Sequence, residues 1–390
     1  MMADEGTDTD ETDTDETDTD ETDTGETDTG ETDTGETDTG ETDTGETEAY
    51  VRQGAMYGPD ATFVGVPRAD LDDPASFAGA SAVVIGAPFD GGTSHRPGCR
   101  FGPQAIRFTD YLPHDGRRPH LALGVDPLVD LAVVDVGDVE MPPGDTQLSL
   151  ERLERAVESV ARSGAVPIIL GGDHTIALPD VTGVARHVGW GRVSVIHFDA
   201  HADTGDTQFG SLLGHGTPMR RLIESGATRG DRFLQIGLRG YWPGPETLAW
   251  MDEQGMRSYE MTEIVARGLD SCLTEASAIA LDDCDAVFLS VDVDVVDPGS
   301  APGTGTPEPG GLSARALLDA VRRLAMELPV AGLDVVEVAP PYDHAEVTAF
   351  LGNRIVLEAL SGMAWRRRRL AGESCRSPGD PLLQGRRRSP

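Results

Sequence analysis

The stretch Val193-Ser-Val-Ile-His-Phe-Asp-Ala-His-Ala-Asp203 joins a nearly continuous apolar run to three closely spaced polar side chains. An apolar run of this length, Val193–Phe198, is typical of a strand buried on both faces, as in a parallel sheet. Side chains alternate along an extended backbone, so Asp199, His201 and Asp203 are expected to lie on one side. The stretch therefore predicts a buried strand whose carboxyl end carries acids and an imidazole.

Apolar runs of the same kind recur along the chain and are separated by segments with helical periodicity. One helical stripe comprises Leu150, Leu153, Val157 and Val160. A second stripe follows a predicted N-cap at Ser313 and comprises Leu317, Val321, Leu324 and Leu328. This alternation predicts one α/β domain, a three-layer αβα structure with a mainly parallel central sheet. The predicted strands are Ala82–Gly86, Leu131–Val136, Pro167–Leu170, Val193–Phe198, Phe233–Leu238, Ala286–Val291 and Val330–Val338.

Two other predicted strands also end in metal-binding residue types. Gly171-Gly172-Asp173-His174 follows one of them, and Asp292-Val293-Asp294 follows another. In open α/β sheets ligands bind beyond the carboxyl ends of the strands, so these segments are expected to meet. Four carboxylates match the charge of two divalent ions, and oxygen and nitrogen ligands without thiolate favour Mn²⁺. The sequence thus indicates a two-metal hydrolase, with the ligands His174, Asp199, His201, Asp203, Asp292 and Asp294.

The net charge of −37 is distributed unevenly along the 390 residues. Residues 1–48 contain 22 acids and no base, residues 366–390 are rich in Arg, and the body between them is acidic. An acidic body argues against a nucleic-acid partner and is compatible with a cationic substrate. The four cysteines are widely spaced, and the sequence shows no signal peptide or apolar stretch of about 20 residues. We therefore expect a cytoplasmic protein without a membrane partner.

Both ends of the chain differ in composition from the rest. Near-perfect pentads run from Glu11 to Gly45, and a segment without apolar residues cannot offset its ordering entropy by burial. The sequence predicts a disordered acidic tail over residues 1–48, a catalytic domain over residues 49–365 and a disordered Arg-rich tail over residues 366–390.

Several motifs carry a resemblance to a known family. They are Gly-Gly-Asp-His at 171–174, His-Phe-Asp-Ala-His-Ala-Asp at 197–203, Gly-His-Gly-Thr-Pro at 214–218, Ser-Val-Asp-Val-Asp at 290–294 and Ala-Pro-Gly-Thr-Gly-Thr-Pro at 301–307. In this order, from about Val83 to Leu360, the chain resembles the ureohydrolases, which include arginase and agmatinase. The resemblance implies the arginase-like fold.

The resemblance also implies a mechanism and an assembly. Two Mn²⁺ ions per subunit would activate a water for attack on a guanidinium carbon, giving urea and an amine. By the same match His215 is the proton-shuttling residue, and Glu337 pairs with the substrate guanidinium. Members of the family usually form trimers or hexamers, so a homo-oligomer is expected.

The substrate is predicted from two differences within the family. Arginase-type members usually carry Asn two residues after the last Asp of the triad, where this chain has Gly205. The segments Pro88–Ser94 and Asp334–Asp343 resemble the agmatinase branch. The prediction is conversion of agmatine to urea and putrescine, as in polyamine biosynthesis. The alternative is a guanidino-acid hydrolase (guanidinobutyrase, guanidinopropionase or a clavam-pathway amidinohydrolase), followed by arginase.

A non-enzymatic interpretation belongs to a different class of function. The acidic tail could make the protein an interaction scaffold that has lost catalysis. Every expected ligand and both catalytic residues are present, which argues against this interpretation. Metal analysis separates the two, because a scaffold has no reason to retain two manganese ions.

Overall fold

Eight strands form one parallel sheet in the computed structural model, which describes residues 56–58, 60–112 and 114–380. The order across the sheet is β2-β1-β3-β8-β7-β4-β5-β6. The strands are β1 (Ala82–Ala87), β2 (Val133–Asp138), β3 (Val166–Gly171), β4 (Val193–Phe198), β5 (Phe233–Leu238), β6 (Arg257–Glu260), β7 (Ala286–Asp292) and β8 (Val330–Val336).

All seven predicted strands are present, and β4 and β5 have the predicted bounds. The strand β6 was not predicted, because its sequence Arg-Ser-Tyr-Glu is polar and only Tyr259 is buried. It lies at the edge of the sheet and pairs with β5 alone, so it does not need an apolar run. A continuous apolar run indicates a strand that is buried on both faces, and only the inner strands of the sheet are buried in this way.

Helices cover both faces of the sheet, as predicted. One face carries α3, α4 and α5, and the other carries α1 and α8 to α10. The helices are α1 (Gly102–Phe108), α2 (Pro127–Asp130), α3 (Thr146–Arg162), α4 (Ala177–Val188), α5 (Pro218–Ser225), α6 (Pro245–Glu253), α7 (Met261–Arg267), α8 (Leu269–Ala280), α9 (Ala314–Glu327) and α10 (Val347–Leu370). The three-layer αβα architecture with a parallel sheet is confirmed.

Alternating side chains of the inner strands fill two separate cores. In β1, Val83 and Ile85 pack on the α3–α4 side, whereas Val84 faces the α9–α10 side. The predicted stripe of α3 is buried, and so is that of α9. Ser313 caps α9 by accepting a hydrogen bond from the Ala316 N–H at 3.1 Å. These helices are therefore held to the sheet by the faces that the sequence indicated.

The predicted boundary at residue 365 is wrong. The helix α10 continues to Leu370, so Arg366–Arg369 are helical and do not belong to a disordered tail. Arg is a good helix former, and Arg366 donates to the Glu327 carbonyl at 2.8 Å while Arg368 pairs with Glu373 at 2.8 Å. The acidic repeats of residues 1–48 and Arg386–Arg388 lie outside the described residues. Within the described part of the chain, no helix is long and apolar enough to cross a membrane.

The sheet order decides where the predicted site residues meet. The strands β3, β8, β7 and β4 are consecutive neighbours at the centre of the sheet. They are parallel, so their carboxyl ends open on the same edge. The segments that carry the metal-binding residue types follow three of these strands, and Glu337 follows the fourth.

Candidate active site

The predicted ligands converge, but not through strand alternation. The strand β4 ends at Phe198, and the backbone from Asp199 onward is irregular, with Asp203 at φ +52°. The strand β7 ends at Asp292, and Asp294 lies in a short 3₁₀ turn. The prediction that these side chains lie together is correct, whereas the geometric reason given for it is wrong. Loops rather than strands aim them at one point.

His174 is the centre of the first group of ligands. Its Nδ1 lies 3.0 Å from Asp199 Oδ2, 3.0 Å from Asp203 Oδ2 and 3.3 Å from Asp292 Oδ2. All four side chains are buried. An imidazole nitrogen and three carboxylate oxygens at these separations surround a space suited to a metal ion.

A second group lies beside the first and shares one residue with it. His201 Nδ1 is 3.0 Å from Asp294 Oδ2 and 3.5 Å from Asp199 Oδ1. The two oxygens of Asp199 therefore face different histidines, and this carboxylate belongs to both groups. The sequence did not say which carboxylate the two groups would share, and in the structure Asp199 is in both groups.

The hydrogen bonding of His174 shows whether these residues fit a metal. Its Nε2 lies 2.9 Å from Ser290 Oγ, and the Ser290 hydroxyl donates to Asp334 Oδ1 at 2.8 Å. With Nε2 as the donor, the lone pair of Nδ1 points at the carboxylates, and Nδ1 has no hydrogen-bond partner in the described residues. A lone pair among carboxylate oxygens requires a cation, so the residues fit a divalent ion with oxygen and nitrogen ligands.

The electrostatics of the group agree with this conclusion. Burial, followed by the charges of Asp294 and Asp199, raises the pKa of Asp292 well above its ordinary value. Burial would by itself lower the pKa of His174, but its contacts with Asp199 and its neighbours raise it overall. Each shift reflects an excess of negative charge among buried side chains, which positive ions would neutralise.

His197 contacts Asp199, the carboxylate that the two groups share. It is fully buried, and its Nε2 lies 2.8 Å from Asp199 Oδ2. Its Nδ1 is 3.3 Å from the amide nitrogen of Gln235 on β5. The ring therefore fixes the orientation of Asp199.

Glu337 enters the site through a sharp turn after β8. Its φ of +63° is in the left-handed region, which is strained for a glutamate and is concentrated at functional sites. Its Oε1 accepts the His174 N–H at 2.9 Å and lies 2.9 Å from His215 Nδ1. The Cys99 thiol donates to Oε2 at 3.1 Å. Oε1 thus accepts two hydrogen bonds, which leaves Oε2 as the oxygen with a free lone pair for a guanidinium.

His215 lies between Glu337 and a serine. Its Nε2 is 2.7 Å from Ser94 Oγ, on the side opposite Glu337. Burial alone would lower the pKa of His215, but the carboxylate of Glu337 raises it to about 9. Nδ1 therefore donates to Glu337, Nε2 accepts the Ser94 N–H at 3.1 Å, and the raised pKa favours a second proton on the ring at neutral pH.

Three supporting residues of the site were given no role in the sequence analysis. Asp173 Oδ2 accepts the Gly92 N–H at 2.7 Å, which holds the loop that carries Ser94 against the site. A Cβ on Gly92 would lie 1.9 Å from Thr175 Oγ1, so this approach requires glycine. Asp173 lies within the Gly-Gly-Asp-His motif, which could have indicated it. Ser94 ends a segment that carries the family resemblance, but no sequence signal indicates its contact with His215 or that of Cys99 with Glu337, because these partners are 121 and 238 residues away.

A cavity of about 370 Å³ opens over these residues. Metal-group residues and His215 form part of its lining, and the remaining residues come from four loops. The lining consists of Ser94, His201, Asp203, Thr207, Gln208, Phe209, His215, Gly216, Trp242, Asp292 and Thr306.

Comparison with known proteins agrees with this architecture. The profile of the arginase family matches residues 80–362. The chain belongs to the arginase family. Mitochondrial agmatinase of Gallus gallus is 39% identical over 309 residues, which are 77% of this chain and 88% of that protein. Guanidinopropionase of Pseudomonas aeruginosa is 38% identical over 304 residues, covering 78% of this chain and 91% of that protein.

Solved structures of arginase-family proteins share the fold. The structure of proclavaminate amidinohydrolase from Streptomyces clavuligerus superposes with a TM-score of 0.70 at 35% identity. The match covers 80% of this chain and 99% of that structure. The predicted assignment to the agmatinase-like branch is confirmed, and this arginase-family chain is a hydrolase of guanidino C–N bonds.

Replacing His215 tests its role as a proton donor. We expect His215→Asn to lower kcat by about 10²-fold, the usual contribution of a positioned acid or base, while both metal ions are retained. Because the protonated ring is the donor, kcat of the parent enzyme should decline as pH rises through about 9, and this decline should be absent in the variant. Urea release across pH and metal analysis check both points; a lower metal content in the variant would refute the assignment.

Asp180 on α4 provides a prediction about stability. It is buried, and neither carboxylate oxygen has a hydrogen-bond partner in the described part of the chain. Burial, followed by the charge of Asp334, raises the pKa of Asp180 well above its ordinary value. As pH rises from about 4, the unfolded chain loses this proton while the folded chain keeps it, so Asp180 increasingly destabilises the fold.

We expect Asp180→Leu to raise the free energy of unfolding at pH 7.5 by about 1–3 kcal/mol, and to raise it less at pH 4.5. Urea denaturation of metal-free parent and variant at both pH values measures the difference. The exposed helical acid Asp252, changed to Asn, is the control and should show no such gain. A stability gain independent of pH would contradict the electrostatic explanation.

Proposed function

We propose that this arginase-family hydrolase converts agmatine to urea and putrescine at a centre of two Mn²⁺ ions. The observation that carries the proposal is the convergence of four carboxylates and two imidazoles beside Glu337. The metal ligands are His174, Asp199, His201, Asp203, Asp292 and Asp294.

Two ions held by these six side chains would lower the pKa of a water and so supply a nucleophile for the guanidinium carbon. Glu337 accepts a guanidinium N–H through Oε2, which turns the carbon of the substrate toward the metal groups. The Cys99 thiol and the His174 N–H hold this carboxylate in place, so its orientation is set before substrate binds.

His215 protonates the leaving amine. Its contacts with Glu337 and Ser94 fix the ring at the cavity wall, and its raised pKa keeps the proton available at neutral pH. Leaving-group protonation is needed because an amide anion is too basic to depart from the tetrahedral carbon unaided.

Charge favours agmatine over a guanidino acid. The residues that line the cavity in the described structure include no Arg, and the whole sequence contains no Lys. A substrate carboxylate would therefore meet no arginine or lysine side chain in this lining, and such a side chain is the usual partner of a carboxylate. The hydroxyl groups of Ser94, Thr207 and Thr306 favour the alternative, because they could donate to a carboxylate. A guanidino-acid hydrolase is therefore the second candidate.

Urea release by the full-length, Mn²⁺-loaded protein tests the proposal. Agmatine, 4-guanidinobutyrate, 3-guanidinopropionate and arginine are assayed in parallel, and we expect agmatine to have the highest kcat/KM. A higher kcat/KM for either guanidino acid would show that the protein is a guanidino-acid hydrolase rather than an agmatinase. Absence of urea from all four compounds would overturn the proposal. The trimer or hexamer stays a prediction, which sedimentation analysis can check.

A further inference from the structure

The lining of the cavity contains an exposed indole. Trp242 lies in the loop between β5 and α6, lines the cavity and is 42% exposed. A Cβ on Gly205 would lie 2.9 Å from the Gly216 carbonyl and 3.4 Å from Trp242 Cζ2. A longer side chain at position 205 would therefore meet both the backbone and the indole. The absence of a side chain at Gly205 therefore leaves room for the indole of Trp242.

A second aromatic ring stands at the mouth of the same cavity. Phe209 is the first residue of a two-residue turn between Gln208 and Ser211. The Gln208 N–H donates to the Ser211 carbonyl at 2.8 Å, and the Ser211 N–H donates to the Gln208 carbonyl at 2.9 Å. The φ of Phe209 is +50°, a strained conformation for a bulky residue, and the side chain is 89% exposed. An exposed ring on a strained backbone suggests a binding role.

The turn that carries Phe209 is fixed by its neighbours. The Gln208 amide nitrogen donates to the Gly92 carbonyl at 3.0 Å, and its oxygen accepts the Gly216 N–H at 2.8 Å. The nitrogen and the oxygen of the Gln208 amide are therefore both hydrogen-bonded within the protein, so this side chain stabilises the turn rather than binding a ligand. The ring of Phe209 is therefore presented at the mouth by a rigid support.

Aromatic faces and the charge of the cavity select the same kind of ligand group. The faces of Trp and Phe carry negative potential and attract ammonium and guanidinium groups, Trp most strongly. The described lining offers no Arg that would oppose such a group. A carboxylate at this wall would gain nothing from the rings.

We propose that Trp242 and Phe209 form a subsite that binds the distal ammonium group of the substrate and sets the preference for an amine over a carboxylate. This inference rests on the proposed guanidino hydrolysis and assigns specificity within it. The guanidinium end is held by Glu337, and the opposite end of the substrate lies against the two rings.

The test compares substrates that differ only at the distal end. Agmatine, n-pentylguanidine (a methyl group in place of the ammonium) and 4-guanidinobutyrate are assayed with full-length, Mn²⁺-loaded parent, Trp242→Leu, Trp242→Phe and Phe209→Ala. We expect Trp242→Leu to lower kcat/KM for agmatine about tenfold, mainly through KM, since a cation–π contact contributes roughly 0.5–2 kcal/mol. The decrease for n-pentylguanidine should be about threefold or less. Trp242→Phe should recover part of the loss.

Tyr241→Leu is the matched control. Tyr241 is the adjacent aromatic residue, is fully exposed and does not line the cavity, so its replacement should leave all three substrates unaffected. Circular dichroism and manganese content are compared across the variants. If Trp242→Leu fails to fold, Trp242→Phe and Phe209→Ala provide the same comparison.

The outcomes separate this inference from the proposed function. Equal losses for agmatine and n-pentylguanidine would show apolar packing alone and would overturn the subsite. A parent preference for 4-guanidinobutyrate would also overturn it while guanidino hydrolysis stands. Absence of urea from every compound would overturn the proposed function, and the inference with it.

Discussion

Asp199→Ala is expected to empty both metal positions and to reduce urea release by more than about 10³-fold. The two oxygens of Asp199 face different histidines, His174 on one side and His201 on the other. Removing this carboxylate deprives both groups of a ligand and leaves His197 without its partner. Metal content per chain by plasma mass spectrometry, with urea assays at saturating Mn²⁺, measures the effect.

Asp294→Ala is the matched control for this prediction. Asp294 is also a buried carboxylate, but its only histidine partner in the described residues is His201, and it belongs to the second group alone. We expect this variant to lose one ion and to retain the ion held by the His174 group. If Asp199→Ala still bound two ions per chain, Asp199 would not be a ligand that both groups share. Equal metal loss in both variants would show that the two groups do not bind independently.

Glu337→Gln is expected to lower kcat/KM by about 10³-fold, with both metal ions retained. The variant loses a charge-assisted hydrogen bond to the guanidinium. The amide nitrogen of Gln is a donor, so it cannot accept a hydrogen bond from the N–H groups of the substrate. Burial alone would raise the pKa of Glu337, but His215 outweighs burial and lowers it, so the native side chain is an anion. Steady-state kinetics with agmatine and metal analysis check the result.

Asp206→Asn controls for a general loss of negative charge near the cavity. Asp206 follows Gly205 in the same loop, is exposed and lies 3.3 Å from Arg221, but it does not line the cavity. Its replacement should change kcat/KM by less than about threefold, because exposed charges are screened by solvent. Loss of manganese in Glu337→Gln would instead assign this glutamate to the metal site.

Local sequence was sufficient for the elements because the inner strands are buried on both faces. Apolar runs such as Phe233–Leu238 require burial wherever they lie, so their secondary structure follows from composition alone. The edge strand Arg257–Glu260 and the helical Arg366–Leu370 were missed for the opposite reason. Both are solvent-facing, and their conformation depends on a neighbouring element rather than on their own pattern.

The sequence by itself determined the chemistry of the site: which side chains are carboxylates and imidazoles, and that they follow buried strands. Only the tertiary structure decided how they meet. The order β3-β8-β7-β4 brings His174, Glu337, Asp292 and Asp199 to one edge, and irregular loops rather than strand alternation turn the ligands inward. The contacts of Ser94 with His215 and of Cys99 with Glu337 join distant parts of the chain. Local sequence fixes backbone preference and donor type, whereas strand order follows from packing of the whole domain.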